Sequence, residues 1–152
     1  MPASDIAITS AGTKIYISMA KPTAQTSTAY AALTWEEIGD VDDIGEHGAE
    51  TSTIKRTPLA SRIVRKLKGS TDYGMLPLKL ARVFGDAGQD DCITMQGDDN
   101  AAAFKIEYSD GTKAYFEALV MSFKTGVGGA ESFTSASINL ELDSAIVEVL
   151  PA

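Results

Sequence analysis

Apolar and polar residues alternate along several segments of this chain, and this period of two constrains the fold more than any other feature. Near the C-terminus, Ala136, Ile138, Leu140 and Leu142 alternate with polar residues in "ASINLEL". Successive side chains of a β-strand point to opposite faces, so the pattern predicts a strand with one buried face. The segments "TKIYISM" and "GMLPLKLARV" alternate in the same way, and Pro77 in the second implies a sheet edge or a bulge.

The segment "FKIEYSDGTKAYFEALVMSF" predicts a β-hairpin. Phe104, Ile106 and Tyr108 alternate with polar residues up to Asp110-Gly111, a dipeptide typical of tight turns. A second strand is then predicted over residues 115–123.

Only one helix is predicted, from Ala87 to Met95, with Asp86 as its N-cap and "QGDDN" as its end. Residues 25–32 are small and polar, which predicts a loop. "TWEEIGDVDDIG" predicts an irregular strand pair, because its glycines and aspartates disfavour a helix. Five or more strands with one helix predict a mainly β fold, a sandwich or open barrel of two packed sheets flanked by one α-helix, as a single domain over residues 1–152.

Charge is divided unevenly along the chain, whose formal net charge is −8 at pH 7. Six of the 13 lysines and arginines lie in residues 55–68, together with none of the 21 acids, so the remainder of the chain carries −14. The basic residues are Lys55, Arg56, Arg62, Arg65, Lys66 and Lys68. Seven acids precede them, with no base among them: Glu36, Glu37, Asp40, Asp42, Asp43, Glu46 and Glu50. Two patches of opposite charge are therefore neighbours in the sequence.

Composition excludes several classes of protein. The overall acidity argues against general nucleic-acid binding, which needs a net basic surface. No apolar run approaches the roughly 18 residues of a membrane-spanning helix, and the N-terminal segment lacks the pattern of a signal peptide, so we expect neither a membrane span nor export. Cys92 is the only cysteine, which excludes an internal disulfide and suggests a reducing compartment and a packing role for this thiol.

The residue types that carry most enzyme chemistry are sparse. His47 is the only histidine, and in a glycine-rich acidic stretch it is expected to be a solvated loop residue. Asp40, Asp42 and Gly45 begin like a calcium-binding loop, but the fifth and twelfth positions lack carboxylates. We therefore expect no enzyme activity, no metal site and no cofactor.

The basic segment also carries apolar residues that a free loop would expose, namely Leu59, Ile63, Val64 and Leu67. Exposed apolar surface of this kind usually indicates a binding site for a partner. The acidic remainder of another copy of the chain would complement the segment. Head-to-tail contacts of that type produce rings or open filaments, so the charges alone suggest self-assembly.

Residues 30–142 resemble the major tail tube proteins of long-tailed phages with non-contractile tails. The most characteristic parts are "TPLASRIVRKLKGS", "DAGQ" and "VMSFKTGVGGAESFTSASINLEL". The resemblance implies a β-sandwich flanked by a helix, hexameric rings of the chain, and stacking of the rings into a tube through which viral DNA passes without specific binding. It implies a place in the virion tail tube after assembly in the host cytoplasm. Its partners would be further copies, tail completion or adaptor proteins, the tape measure protein and distal tail proteins, with no membrane.

The resemblance also implies roles for particular residues. It makes residues of about 51–72 an assembly loop that orders only on assembly and contacts the neighbouring ring, and the two termini are further candidates for arms. We expect the inter-subunit contacts at Lys55, Arg56, Arg62, Ile63, Arg65, Lys66, Leu67 and Lys68, with the seven acids as their acceptors. The lumen is expected to be negative, and its candidate residues are Glu107, Glu117 and Glu141.

The alternative function is that of a nucleic-acid-binding module that uses residues 55–68 on phosphates. The seven acids would then have to lie away from the nucleic acid. The segment also lacks the aromatic residues on which bases stack. A steep salt dependence of duplex binding would distinguish this module from a tube subunit.

Overall fold

The computed structural model describes residues 7 to 151 and consists mainly of β-strands. Strands and helices follow in the order β1 (Lys14–Ser18), α1 (Ser27–Ala31), β2 (Glu36–Glu37), β3 (Val41–Asp43), β4 (Glu50–Arg56), β5 (Arg65–Asp72), β6 (Met75–Ala81), α2 (Ala87–Gln96), β7 (Ala102–Glu107), β8 (Lys113–Gly126), β9 (Ser135–Leu142) and β10 (Val147–Val149). The structure thus confirms the mainly β class with one main helix.

Eight of the strands form one antiparallel sheet that curls on itself. Their order is β2-β1-β7-β8-β9-β6-β3, and β10 pairs with the first residues of β8. Strands β2 and β3 lie at opposite ends of this order, although only residues 38–40 join them in the chain. Four Cα–Cα steps separate the end of β2 from the start of β3 and span at most about 14 Å, so the two ends of the sheet must approach each other. Strands β4 and β5 form a separate two-stranded sheet.

The main core lies inside the curled sheet. It contains the alternating apolar residues of the long strands, including Ile15, Leu78, Phe104, Phe116 and Ile138, all of which are at most 1% exposed. The phenyl rings of Phe104 and Phe116 stack with their centroids 5.7 Å apart. Helix α2 contributes Cys92 and Met95 to the same core and packs against β8, β1 and β2. The period of two therefore predicted which face of each long strand is buried.

The predicted ends of α2 and the predicted hairpin are confirmed. Asp86 caps α2 by accepting a hydrogen bond from the Gln89 backbone N–H at 3.1 Å, and the helix ends at Gly97. Strands β7 and β8 pair around Asp110-Gly111, where Gly111 has a φ of +94°. Pro77 lies on β6 and is paired with β9 on one side. On the other side β3 pairs with β6 only at Lys79 and Leu80, so Pro77 is at a local edge of the sheet, as expected.

The loop predicted at residues 25–32 is wrong, because residues 27–31 form the short helix α1. Thr26 caps this helix, and its hydroxyl accepts a hydrogen bond from the Ala29 N–H at 3.3 Å. Tyr30 of α1 is fully buried against Ala103 and Tyr115 on the outer face of the sheet. A five-residue helix is too short to produce a helical period, so packing of the tyrosine decides its conformation.

No helix in the described part of the chain is long and apolar enough to cross a membrane.

Candidate assembly surface

The basic segment forms an antiparallel hairpin, β4–β5, and not the loop that the sequence predicted. Its two strands pair with each other and, within residues 7 to 151, with no strand of the main sheet. With seven residues in β4 and a rise of about 3.3 Å per residue, the hairpin is an arm of about 20 Å. Every residue from Ser52 to Thr57 is exposed. A strand with no buried face lacks the apolar alternation by which strands are recognised, and for this reason the sequence missed it.

One face of the hairpin concentrates ammonium groups, and we call it the lysine face (Lys55, Lys66 and Lys68). Lys55 lies directly opposite Lys66, and the adjacent pair on this face is Thr53 with Lys68. Like charges that are directly opposite each other destabilise a strand pair. The hairpin is therefore electrostatically strained as long as no anion lies next to this face.

The opposite face combines apolar and guanidinium groups, and we call it the arginine face (Ile54, Arg56, Arg65 and Leu67). Ile54 lies opposite Leu67, and Arg56 lies opposite Arg65. The two apolar side chains are 51% and 61% exposed. An exposed apolar pair next to two arginines has the composition of a protein-binding surface.

The connection between the strands, residues 57–64, is the hairpin tip. It is stabilised by a hydrogen bond from the Ser61 N–H to the Pro58 carbonyl at 3.3 Å. Leu59 is fully exposed, and Ile63 and Val64 are 67% and 51% exposed. Arg62 is also exposed. The apolar character of the hairpin is therefore greatest at its free end.

Two glycines fix the point where the hairpin leaves the body. Gly74 has a φ of +88°, and a Cβ atom there would lie 2.7 Å from the Gly48 carbonyl oxygen. Gly74 N–H donates to the Asp72 carboxylate at 2.9 Å, and its carbonyl accepts from Leu142 N–H at 2.9 Å. The hairpin root is thus tied to β9, and only glycine fits both the backbone conformation and the close approach.

None of the basic groups of the hairpin has an ion-pair partner within residues 7 to 151. The single ion pair of that range joins Lys14 to Glu37 at 3.7 Å on the sheet. The six predicted contact bases are all exposed.

The acid patch comprises the seven predicted acids, and the structure places all of them at the surface. They lie on β2, on β3, on the residues between these strands, on the segment after β3 and, for the last of them, at the first residue of β4: Glu36, Glu37, Asp40, Asp42, Asp43, Glu46 and Glu50. The curl of the sheet brings β2 and β3 together although they are at opposite ends of the strand order. The seven acids, all exposed, therefore belong to one short stretch, residues 36–50, whereas the bases extend away from the body.

Gln89 of α2 holds the connection between β2 and β3 in place, a role that no pattern in the sequence indicates. Its side chain is fully buried. Nε2 donates to the carbonyls of Gly39 and Ala81 at 3.1 and 3.0 Å, and Oε1 accepts from Val83 N–H and Arg82 Nη1 at 3.1 and 3.0 Å. One amide thereby joins the residues before β3, the end of β6 and the first turn of α2.

Asp86 and Gly88 complete this clamp. The Asp86 carboxylate accepts from the Gly39 N–H at 3.2 Å, in addition to capping α2. A Cβ atom on Gly88 would clash with the Glu37 carbonyl oxygen, so glycine allows the helix to touch the backbone of β2. Three of the four residues of "DAGQ", namely Asp86, Gly88 and Gln89, thus contact the connection between β2 and β3.

The three lumen candidates, Glu107, Glu117 and Glu141, lie on one face of the sheet. Glu107 is paired with Lys113 on β8. Lys113, Glu117 and Leu119 are even numbers of residues apart, so their side chains share one face of β8. Leu119 is in turn paired with Glu141. Their neighbours at the intervening positions face the main core, so all three glutamates point away from it. This face also carries the buried Ala103 and Tyr115, and a role of the three glutamates in a lumen remains a prediction.

The neighbours of two of these glutamates reduce their effect on a passing anion. Glu107 lies between Lys14 of β1 and Lys113 of β8. The Glu117 carboxylate accepts a hydrogen bond from the Gln25 side chain at 3.0 Å. Glu141 faces uncharged residues on both sides, which makes it the strongest of the three candidates.

A second exposed apolar surface surrounds Arg82. The guanidinium carbon lies 4.5 Å from the Phe84 ring centroid and 5.2 Å from that of Phe123. Arg82 N–H donates to the carbonyl of the residue after Phe133 at 2.9 Å. Phe84, Val127 and Phe133 are 75%, 81% and 64% exposed. The sequence analysis did not identify this surface, which is separate from the hairpin.

His47 and Cys92, the two residues considered as reactive groups, are both withdrawn from the solvent to some extent. His47 is half-buried, not solvated as expected, with its Nδ1 3.1 Å from the Gly45 carbonyl. Cys92 is fully buried, and burial raises the pKa of its thiol to about 12. No group of three histidine, cysteine, aspartate or glutamate side chains within residues 7 to 151 is arranged to hold a metal ion.

Comparison with solved structures identifies the fold. The chain matches the sheath/tube terminator of an extracellular contractile injection system, PVC, with a TM-score of 0.70, 12% identity and coverage of 97% of this chain and 99% of the other. It matches the tube-terminating cap of the anti-feeding prophage with a TM-score of 0.64, 12% identity and 97% coverage of each chain. It matches the SPP1 tail tube with a TM-score of 0.61, 15% identity and coverage of 91% and 77%.

No family model and no curated protein matches the sequence. The structural matches cover almost the whole chain, so the fold is that of tail tube and tube-terminator proteins. They include contractile systems as well as the SPP1 tube, so the fold does not distinguish non-contractile tails from contractile ones.

Proposed function

We propose that this chain is the structural subunit of a phage tail tube, in which hexameric rings stack into a conduit for viral DNA. The observation that carries the proposal is the β4–β5 hairpin, an exposed arm whose six bases lack ion-pair partners within the described residues. A folded body with the tube fold and an arm of opposite charge has the two halves of a head-to-tail contact.

Tubes of stacked rings need two kinds of contact, one within a ring and one between rings. The chain has two separate exposed surfaces with apolar character, the hairpin and the surface around Arg82. We assign the hairpin to contacts between rings, at Lys55, Arg56, Arg62, Ile63, Arg65, Lys66, Leu67 and Lys68. We assign the surface around Arg82 to contacts within a ring.

The charge of the body suits a conduit. With −14 outside residues 55–68, the assembled chain repels phosphate and allows DNA to pass without binding it. The subunit belongs to the virion tail, assembles in the host cytoplasm and contacts tail completion, tape measure and distal tail proteins. Non-contractile tails remain the specific prediction from the sequence.

Sedimentation velocity of the purified chain over a range of concentrations tests the proposal. We expect species far larger than the monomer, with their amount changing with salt, because the contacts are electrostatic. A variant with Arg62→Glu, Arg65→Glu and Lys66→Glu is expected to keep the monomer spectrum by circular dichroism and to form no large species. Lys21→Glu with Lys124→Glu is the control, since both lysines are exposed on the body.

Titration with duplex DNA separates the proposal from the alternative of a nucleic-acid-binding module. A tube subunit is expected to show little binding at any salt concentration. Tight binding that weakens steeply with salt, together with a monomeric chain at every concentration, would favour the module and overturn the tube.

A further inference from the structure

A groove of about 760 Å³ lies where the curled sheet does not close. One wall is formed by residues 8–13, which lead into β1, and the other by residues 41–47, which comprise β3 and the segment after it. Ile106 and Tyr108 at the end of β7 form the floor. A groove of this size has room for several side chains.

The groove is lined by apolar and polar residues together, and exposed acids form its rim. Its apolar lining residues are Ile8, Val41, Ile44, Ile106 and Tyr108. Three members of the acid patch, Asp42, Asp43 and Glu46, also line it, and no lysine or arginine does. The groove thus suits a ligand that presents apolar side chains flanked by cations.

The backbone adds a second means of recognition. Strand β3 pairs with β6 along one edge, at Val41 and Asp43. Its other edge pairs with no strand within residues 7 to 151. An extended segment that enters the groove can therefore form hydrogen bonds with this free edge.

We propose that this groove receives the hairpin tip of a second copy of the chain, a proposal that rests on the self-assembly proposed above. The tip exposes Leu59, Ile63 and Val64, which match the apolar residues of the lining. The arginines Arg56, Arg62 and Arg65, in the tip and at the strand ends beside it, match the three acids of the rim. Of the seven acids predicted to accept the bases of the hairpin, this assignment keeps three, Asp42, Asp43 and Glu46. It also adds contacts between apolar side chains of the tip and of the groove.

The tip must come from another copy because of where the hairpin starts. The groove wall ends at His47, and β4 begins three residues later at Glu50. The arm is about 20 Å long, and none of the tip residues 57–64 is among those that line the groove of its own chain. Each copy then offers a tip to one neighbour and a groove to another, as an open stack requires.

Charge reversal in matched variants tests this contact. The groove variant carries Asp42→Lys and Glu46→Lys, and neither carboxylate accepts a hydrogen bond within residues 7 to 151. The tip variant carries Arg62→Glu and Arg65→Glu. The control carries Asp90→Lys and Asp99→Lys, the same change of charge at two exposed positions outside the groove and outside both proposed contact surfaces. The amount of protein pelleted by high-speed centrifugation is measured for each.

We expect the groove and tip variants each to pellet at least about tenfold less than the original chain, and the control to pellet normally. A 1:1 mixture of the two variants restores pelleting. The reversed tip of the tip variant attracts the reversed groove of the groove variant, and the original tip of the groove variant still attracts the original groove of the tip variant.

Normal pelleting of the groove variant alone, or a mixture that stays soluble, would overturn the groove assignment and leave self-assembly intact. If the original chain never pellets at any concentration, self-assembly fails and the groove assignment fails with it.

Discussion

Lys55 on β4 lies directly opposite Lys66 on β5, and no carboxylate within residues 7 to 151 forms an ion pair with either. Two ammonium groups that face each other on an exposed strand pair oppose the folding of that pair. The arrangement is therefore costly in a single copy and becomes favourable when an acidic surface of another copy covers it. The cross-strand repulsion thus lowers the stability of the isolated hairpin, and in the proposed tube a contact with carboxylates of another copy offsets it.

The substitution Lys66→Glu is expected to have opposite effects on the hairpin and on assembly. It converts a repulsive cross-strand pair into an attractive one, so protection of the β4 and β5 amides in hydrogen exchange of the monomer rises by about twofold. It also removes a base from the contact, so assembly falls. Lys66→Gln removes the charge without creating a pair and serves as the control. Loss of hairpin protection in Lys66→Glu would show that the pair does not control the arm.

The hairpin root gives a prediction about geometry. Gly74→Ala and Gly85→Ala both place alanine at a positive φ, +88° and +89°, and each is expected to cost about 1 kcal/mol in chemical denaturation. Only at Gly74 does the new Cβ meet a backbone atom, the Gly48 carbonyl oxygen, whereas the surroundings of Gly85 are open. Gly74→Ala is therefore expected to lose assembly as well. Equal assembly by both variants would contradict the role of the root.

The clamp around Gln89 gives a prediction about stability. Gln89→Ala leaves the carbonyls of Gly39 and Ala81 without their side-chain donor and creates a small cavity, so we expect a loss of about 2–4 kcal/mol in urea denaturation. Gln96→Ala changes an exposed glutamine at the end of the same helix and is expected to be nearly neutral. A loss below about 1 kcal/mol for Gln89→Ala would mean that the four contacts do not hold the acid patch in place.

The buried thiol gives a pH dependence. Burial raises the pKa of Cys92 from 9.0 to about 12. The thiol ionises above pH 9 in the unfolded chain but remains neutral in the folded one, so its contribution to stability is present below pH 9 and is lost as the pH rises from 9 to 12. The slope is about 1.4 kcal/mol per pH unit. Cys92→Ala removes it, so stability curves of the two chains converge over this range. Parallel curves would contradict the burial of the thiol.

Long strands were predictable from the sequence because each buries one face. Ile138 and Leu140 on β9 show this alternation, and the structure buries both completely. The β4–β5 hairpin escaped prediction because its charges and apolar residues are all exposed. Residues 27–31 escaped it because a single tyrosine, Tyr30, decides their conformation through packing on Tyr115 at a centroid distance of 5.3 Å.

The acid patch was predictable as a set of residues but not as a surface. Glu37 and Asp42 are five residues apart in the chain yet belong to opposite ends of the strand order, an arrangement that the charge pattern does not predict. Gln89 gives no sequence signal, since a glutamine in a helix is ordinarily exposed. Long-range contacts of this kind come from the closure of the whole sheet.

Electron microscopy of the concentrated, purified chain in negative stain, at low and at high salt, tests the central claim most directly. We predict hollow tubes or stacked rings for the original chain and only small particles for the variant with Arg62→Glu, Arg65→Glu and Lys66→Glu. Tubes formed equally well by that variant would contradict the role of the hairpin. Small particles from the original chain at every concentration and salt level would contradict self-assembly into a tube.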